Sequence, residues 1–443
     1  MIYLDNAATT FPKPQCVIEE MSRCLKKYCG NPGRSSHSLS IKSAEKIYET
    51  RELLADFFDS EAENVVFTYN TTYALNIAIK SLLKYSTHVL ISDIEHNSVL
   101  RPIHKCSEQK LCSYSIFSTN GTDEQILKSI ESNIKHNTSM LVCTHVSNIG
   151  ERRLPIKKIG QLCKKYNITF IVDGAQSAGV HNISVKKMNI DALCIPGHKG
   201  LYGPQGVGVI IFGNDTVGRS VFEGGTGINS LEPNMPEFLP EAYEAGTLST
   251  PSIVGLYESL KWLKSLDTNK VRAHEEDLYD TLYNILHSTE KITVYKMNTY
   301  PGNTLSFNIN GLSSAYVAAE LNKRDICVRS GFHCSPLAHK LLNTGESGAV
   351  RIGIGVFNTK NDIYTLCDAI KDISKNRKIR QWRIFLLINI SNKYIIKANK
   401  HTPISPPKES IKTSLKEGPL LMERAWWISS NEAYKITLPK EIK

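Results

Sequence analysis

The 443-residue chain has no apolar run near the roughly 18 residues that a membrane span requires, and a stretch such as "IFLLINI" at 384–390 is far too short. It opens on "MIYLDNAATT", with no basic segment followed by an apolar one, so neither a secretory signal nor an Arg-rich transit peptide is expected, and a cytoplasmic location is. Paired cysteines are missing as well: the 11 are odd in number and scattered, and none forms a CxxC or CxxH pair. That argues against a disulfide framework and a structural zinc site, so no metal is expected and most of the thiols should be buried small hydrophobes. Acidic residues are scarce at one end. Residues 375–443 carry 15 Lys/Arg against 5 Asp/Glu, which leaves the body balanced and puts the whole net charge of +10 in the tail. Such a tail can touch nucleic acid or an acidic partner, although its composition favours a solvated extension. No repeat of 20–50 residues and no heptad pattern occurs.

What is present is an ordinary globular composition, 41% hydrophobic and 22% charged, on a chain long enough for two or more domains. Between about 65 and 212, β-rich runs ("VVFTY", "HVLISD", "SMLVCTHV", "ITFIVD", "DALCIP", "GVGVIIF") alternate with helical patterns such as "TYALNIAIKSLLK". This predicts an α/β domain with a mainly parallel sheet over residues 14–251. From 252 a long helical segment and the strands "NTLSFNIN" and "AVRIGIG" predict a smaller α+β domain over 252–374, completed by residues 1–13. Residues 375–443 form a basic tail without sustained periodicity.

In an open α/β sheet, ligands bind outside the carboxyl ends of the strands. Here those ends carry polar groups: Asn70-Thr71-Thr72 before a helix, Glu95 and His96, Asn148, then Asp173 and Gln176 beyond a wholly apolar strand. The threonines at a helix start suit a phosphate, though a plain N-cap explains them equally when taken alone. Asp173 has a bland reading too, as a turn aspartate. "PGHKGLYGPQGVG" is harder to read that way. A lysine, Lys199, at a strand's carboxyl end beside a phosphate seat and an aspartate fits a Schiff base with pyridoxal 5'-phosphate (PLP).

The motifs "YLDNAATT", "NPGRSSHSLS", "EHNSVLRP", "THVSNIGE", "VDGAQSAGV", "GHKGLYGPQGVG", "FEGGTGINS", "EAGTLSTP", "RSGFHCSPLAHK" and "AVRIGIGVFNT", in this order over about 2–374, resemble the class V aminotransferase superfamily. Within it the likeness is to the cysteine desulfurase family and its group II, selenocysteine lyase-like branch. The resemblance implies a type I PLP-dependent transferase fold, with a mainly parallel seven-stranded sheet, acting as a homodimer. Lys199 would be the Schiff-base lysine, Asp173 the partner of the ring nitrogen and His96 the residue over the ring. Gln176 and Asn148 would face the ring oxygen, and Thr71, Thr72 and His198 the phosphate. Thr247 resembles the residue that reaches the phosphate of the neighbouring subunit.

Substrate contacts would come from Arg351, as a fork on the L-cysteine carboxylate, with Asn148 and Arg329 beside it. Cys334 matches the sulfur acceptor, and positive charge on Arg329 and His333 is expected to favour its thiolate. The implied activity is a PLP-dependent cysteine desulfurase that passes sulfur through a Cys334 persulfide to an acceptor protein, supplying iron–sulfur clusters, a thiolated cofactor or tRNA. A selenocysteine lyase or an aminotransferase on the same fold stays open. So does a sulfur-relay scaffold that binds RNA through the tail and Trp426-Trp427. Pro196 and Asn70 depart from the family pattern: Pro196 replaces a phosphate-binding hydroxyl, and the Asn70 side chain must find its own partner.

Overall fold

Apolar alternation explains the central sheet of the computed structural model, which describes residues 1–375 apart from 34, 151, 214–216, 267 and 297–301. Phe170 and Val172 bury against one face while Ile171 buries against the other, and Val209 and Ile211 alternate with Ile210 in the same way. Both faces are covered, so the strands Thr169–Asp173, Ala192–Pro196 and Gly208–Phe212 are apolar almost throughout. Each such side chain contributes about 1.5–3 kcal/mol by leaving water.

The sheet has seven strands in the order Val65–Thr68, Gly208–Phe212, Ala192–Pro196, Thr169–Asp173, Thr138–Thr144, Thr87–Ser92 and Cys112–Phe117. Every ladder is parallel except the two made by Gly208–Phe212, which runs against both neighbours. The other six strands therefore deliver their carboxyl ends to one edge. Helices Thr71–Leu82 and Asn97–Glu108 pack on one face through Ala74, Leu75, Ala78, Val99 and Ile103. Ser38–Phe58, Ile156–Tyr166 and Thr250–Ser265 cover the other through Leu54, Phe58, Ile159, Leu256 and Leu260.

A second, antiparallel sheet runs Arg329–Gly331, Ala349–Gly353, Thr304–Ile309, Ile292–Tyr295. Its core of Leu305, Phe307, Val350 and Ile352 is closed by residues of the helices Thr268–His287, Ser314–Asn322 and Lys360–Lys375. Leu4 joins this core, and Ile2–Tyr3 pairs in parallel with Ile326–Cys327, so the first residues are built into the C-terminal half. Residues 1–375 make one compact unit. Beyond Lys375, the basic tail with Trp426 and Trp427 lies outside the described residues.

Candidate active site

The carboxyl ends of five strands and the turns or helices that follow them line a cavity of about 530 Å³, walled by Thr71, Thr72, His96, Asn148, Asp173, Gln176, His198 and Lys199 together with Ile94, Ser98 and Val146. Eight of the residues read from the sequence therefore meet in one place. Thr71 begins a helix that Asn70 caps, its Oδ1 accepting from Tyr73 N–H at 3.2 Å, which gives that side chain its partner. Thr72 Oγ1 lies 2.9 Å from Ser98 Oγ. His96 caps the next helix: its Nδ1 accepts from Ser98 N–H at 3.1 Å, so Nε2 remains the ring's second nitrogen.

The electrostatics of the cavity are those of enclosed, opposed charges. Burial pushes the Asp173 carboxyl up, an effect opposed by the Ala175 N–H at 2.9 Å and by Lys199. Burial pulls the Lys199 amine down to about 8; Asp173 resists this, while Arg351 and Arg329 add to it. His96 is lowered to about 4 by burial first and then by Lys199, Arg329 and Arg351, so it is neutral. Glu95, fully buried behind the wall, is raised to about 8 by burial even though Ser92 Oγ and Thr144 N–H both donate to its Oε1.

Two buried polar atoms at the cavity, Thr71 Oγ1 and His198 Nδ1, and one beside its Asn148 wall, Arg351 Nε, have no hydrogen-bond partner among the described residues. An unsatisfied buried donor or acceptor costs about 1–3 kcal/mol, so such atoms mark where a ligand belongs. A hydroxyl at a helix start with an imidazole nitrogen from the turn opposite suits a phosphate, and a carboxylate with an amine suits a cationic ring and its aldehyde. The residues fit PLP.

Arg351 is 1% exposed, its Nη2 donating to Asp5 Oδ1 at 2.9 Å and its Nη1 to the Asn148 carbonyl at 3.3 Å. Arg329 stands directly opposite Arg351 in the antiparallel ladder, so two guanidinium groups share one face of the sheet. Asp5 offsets one of these like charges, and a second carboxylate, from a ligand, would offset the other.

The "RSGFHCSPLAHK" turn docks on this cavity. Asn148 Nδ2 donates to the His333 carbonyl at 2.9 Å, its Oδ1 accepts from Ser335 Oγ at 2.6 Å, and Asn97 N–H donates to the Cys334 carbonyl at 2.7 Å. His333 and Cys334 both take left-handed backbone, φ 49° and 58°, and Cys334 is exposed. Each non-glycine residue in that region costs about 1–2 kcal/mol, which the surrounding bonds must offset.

One expectation is corrected. Positive charge on His333 was expected to favour the thiolate, but the ring is buried and pushed far below its ordinary value, to about 2, by burial and then Arg351. It is neutral and lends Cys334 no charge. The Asn148 and Gln176 side chains also have protein partners, Asn148 on the Cys334 turn and Gln176 Nε2 on the Ala7 carbonyl at 2.9 Å. Thr247 is not in this cavity; it lines separate grooves, one of them with Tyr69, Tyr73 and Phe222.

Residues 2–366 match the model of the family described as Aminotransferase class-V. The chain belongs to the class-V aminotransferase family. This family is PLP-dependent, in agreement with the cavity. Among curated relatives, a probable cysteine desulfurase of Methanothermobacter thermautotrophicus is 31% identical over 392 residues, covering 84% of this chain and 94% of the relative. One of Pyrococcus abyssi is 30% identical over 398 residues, covering 86% and 96%. The apo cysteine desulfurase of Thermococcus onnurineus NA1 superposes with a TM-score of 0.75 at 29% identity, covering 84% of this chain and 94% of that one. The S-sulfonic acid form of the cysteine desulfurase CsdA from Escherichia coli has a TM-score of 0.76 at 23% identity, over 84% and 94%, a likeness of fold.

Three residues in contact with the candidate site residues were not picked out from the sequence: Asp5 on Arg351, Ser98 between Thr72 and His96, and His339 behind His333. Asp5 and His339 lie inside quoted motifs, yet nothing in their spacing reveals partners 346 and 6 residues away.

Proposed function

We propose that this class-V protein is a cysteine desulfurase that converts L-cysteine to L-alanine and receives the sulfur on Cys334. The observation that carries the reading is an exposed cysteine in a strained turn, tied by Asn148 and Asn97 to the wall of a cavity holding Lys199 and Asp173. Thr71, Thr72 and His198 would hold the cofactor phosphate, Asp173 its ring nitrogen and Lys199 its aldehyde carbon, with His96 and Gln176 lining the ring. When bound, PLP supplies an electron sink conjugated to the substrate Cα.

The chain's residues do the remaining work. Arg351, with Arg329 opposite it and Asn148 beside it, orients the substrate carboxylate. With its pKa lowered to about 8, Lys199 has a large neutral fraction near pH 8, so its Nζ takes the Cα proton. His96, neutral and with Nδ1 engaged by Ser98, relays protons at Nε2. The Cys334 thiolate then attacks the substrate sulfur. A Cys334 S–S bond forms, the substrate Cβ–S bond breaks, its electron pair passes to Cβ, and Cβ takes up a proton, so that alanine leaves and one sulfur stays on Cys334.

Exposed Tyr69, Tyr73 and Phe222 around the groove containing Thr247 support a homodimer in which Thr247 reaches the neighbouring site. An exposed Cys334 suits delivery to a sulfur-acceptor protein in the cytoplasm, for iron–sulfur cluster assembly or thiolation of a cofactor or tRNA. The test is alanine and sulfide formation from L-cysteine, with reductant, by wild type and Cys334→Ala, with the visible PLP band recorded for both. The reading expects PLP in both proteins and alanine production that collapses in the variant. Equal turnover would point to the lyase or aminotransferase activities instead.

A further inference from the structure

The backbone around Cys334 is gripped from two sides. On the cavity side, Asn148 and Asn97 hold His333, Cys334 and Ser335. On the other side is a chain of two buried imidazoles, His333 and His339, whose ring planes lie within 11° of each other.

The proton positions in that chain follow from its ends. His333 Nε2 faces the Arg329 carbonyl at 3.4 Å, and a carbonyl only accepts, so Nε2 carries the hydrogen. A neutral His333 then offers Nδ1 as an acceptor, 3.2 Å from His339 Nε2, which must donate. That leaves His339 Nδ1 bare, 2.8 Å from Thr344 Oγ1, whose hydroxyl donates to it. All the hydrogens point one way, from Thr344 through both rings to Arg329. Burial, with Arg351 next, keeps both rings neutral, as this direction requires.

We propose that His339 is a positioning residue for Cys334: by donating to His333 Nδ1 it fixes the residue that precedes the cysteine in its left-handed turn, without touching substrate. The proposal rests on the reading of Cys334 as the sulfur acceptor. A misplacement of the nucleophile by about 1 Å is enough to cost on the order of a hundredfold in rate. Of His333 and Cys334, Asn148 and Asn97 hold only the carbonyls, so the orientation of the His333 ring is set by its contacts with Arg329 and His339.

The test uses the PLP-loaded enzyme with His339→Ala, His339→Gln and Thr344→Val. Alanine formation gives kcat and KM; the iodoacetamide alkylation rate at Cys334, scored by peptide mass mapping, reports the thiol's placement. Cys29, also exposed, serves as the internal control. For His339→Ala the expected results are a kcat lower by about tenfold or more with KM within about twofold, and a Cys334 alkylation rate altered by about threefold or more while that of Cys29 is unchanged.

His339→Gln should recover most of the loss, since its amide N–H can donate to His333 Nδ1, and Thr344→Val should move both readouts less but in the same direction. Unchanged kcat and Cys334 alkylation in His339→Ala overturn the proposal. So does an equal loss in His339→Ala and His339→Gln accompanied by altered Cys29 reactivity, the mark of a merely structural role. If His339→Ala does not fold, His339→Gln and Thr344→Val decide by the same readouts. Failure of the underlying reading has a different sign, equal alanine formation by wild type and Cys334→Ala, whereas the alkylation contrast needs no turnover.

Discussion

Replacing Asp5 by Asn asks whether Arg351 is held as a buried cation by one carboxylate. The guanidinium is 1% exposed, with Asp5 at 2.9 Å, a carbonyl at 3.3 Å and an Nε without a partner among the described residues. Removing one member of a buried ion pair costs about 3–5 kcal/mol, because the other charge is left uncompensated. Two features reduce this: the Asp5 side chain is 22% exposed, and an Asn Oδ1 still accepts the Nη2 hydrogen bond. Keeping a neutral bond worth about 1 kcal/mol and discounting for solvent, the expected loss is about 2 kcal/mol. For a chain of this size, with a urea m-value of roughly 3 kcal/mol/M or more, that is a midpoint shift of about half a molar. The assay is urea denaturation of the PLP-loaded protein followed by tryptophan fluorescence, with Asp56→Asn as control, since Asp56 pairs with Lys264 on the exposed surface. Coincident midpoints for the two variants would refute the buried-cation account.

Three further outcomes follow from the same structure. Glu95 is raised from 4.5 to about 8, so the folded state binds a proton that the unfolded state releases, and its contribution is present below about pH 4.5 and lost as pH rises through 8. Glu95→Gln should therefore gain stability relative to wild type between pH 5.5 and pH 8, read as urea midpoints; a difference independent of pH would contradict this. Thr71→Val removes a buried hydroxyl without a partner among the described residues, and is expected to weaken PLP retention by about tenfold, measured by dialysis and absorbance, with little change in apoprotein stability. Gly179→Ala would set a Cβ 2.2 Å from the Gly200 carbonyl, next to Lys199, at φ +82°, so both stability and PLP retention should fall.

Much of the α/β architecture could be read from the sequence because strands buried on both faces are continuous apolar runs, and the polar residues that end them stand out against that background. Asp173 and Lys199 were visible for this reason. The reversal of Gly208–Phe212 was not, since an apolar run reads the same in either direction and only its ladders reveal the polarity. Arg351 was legible as an arginine on a strand, but its charge partner Asp5 enters from the N-terminus through the Ile2–Tyr3 pairing, a contact that no local pattern encodes. The charge of His333 was misjudged because a histidine beside a cysteine suggests an activating cation, whereas burial decides its protonation. Asn148 was read toward the cofactor and the substrate; its hydrogen bonds to the Cys334 turn, with partners 185 and 187 residues away, were not legible, since no local pattern encodes contacts so distant.

The most direct measurement is peptide mass mapping of the PLP-loaded wild-type protein after one equivalent of L-cysteine without reductant, with free alanine quantified in the same sample. The account predicts about one alanine per active site and one added sulfur atom on the peptide containing Cys334. Alanine released with no sulfur on that peptide, or sulfur found on another cysteine, would contradict it.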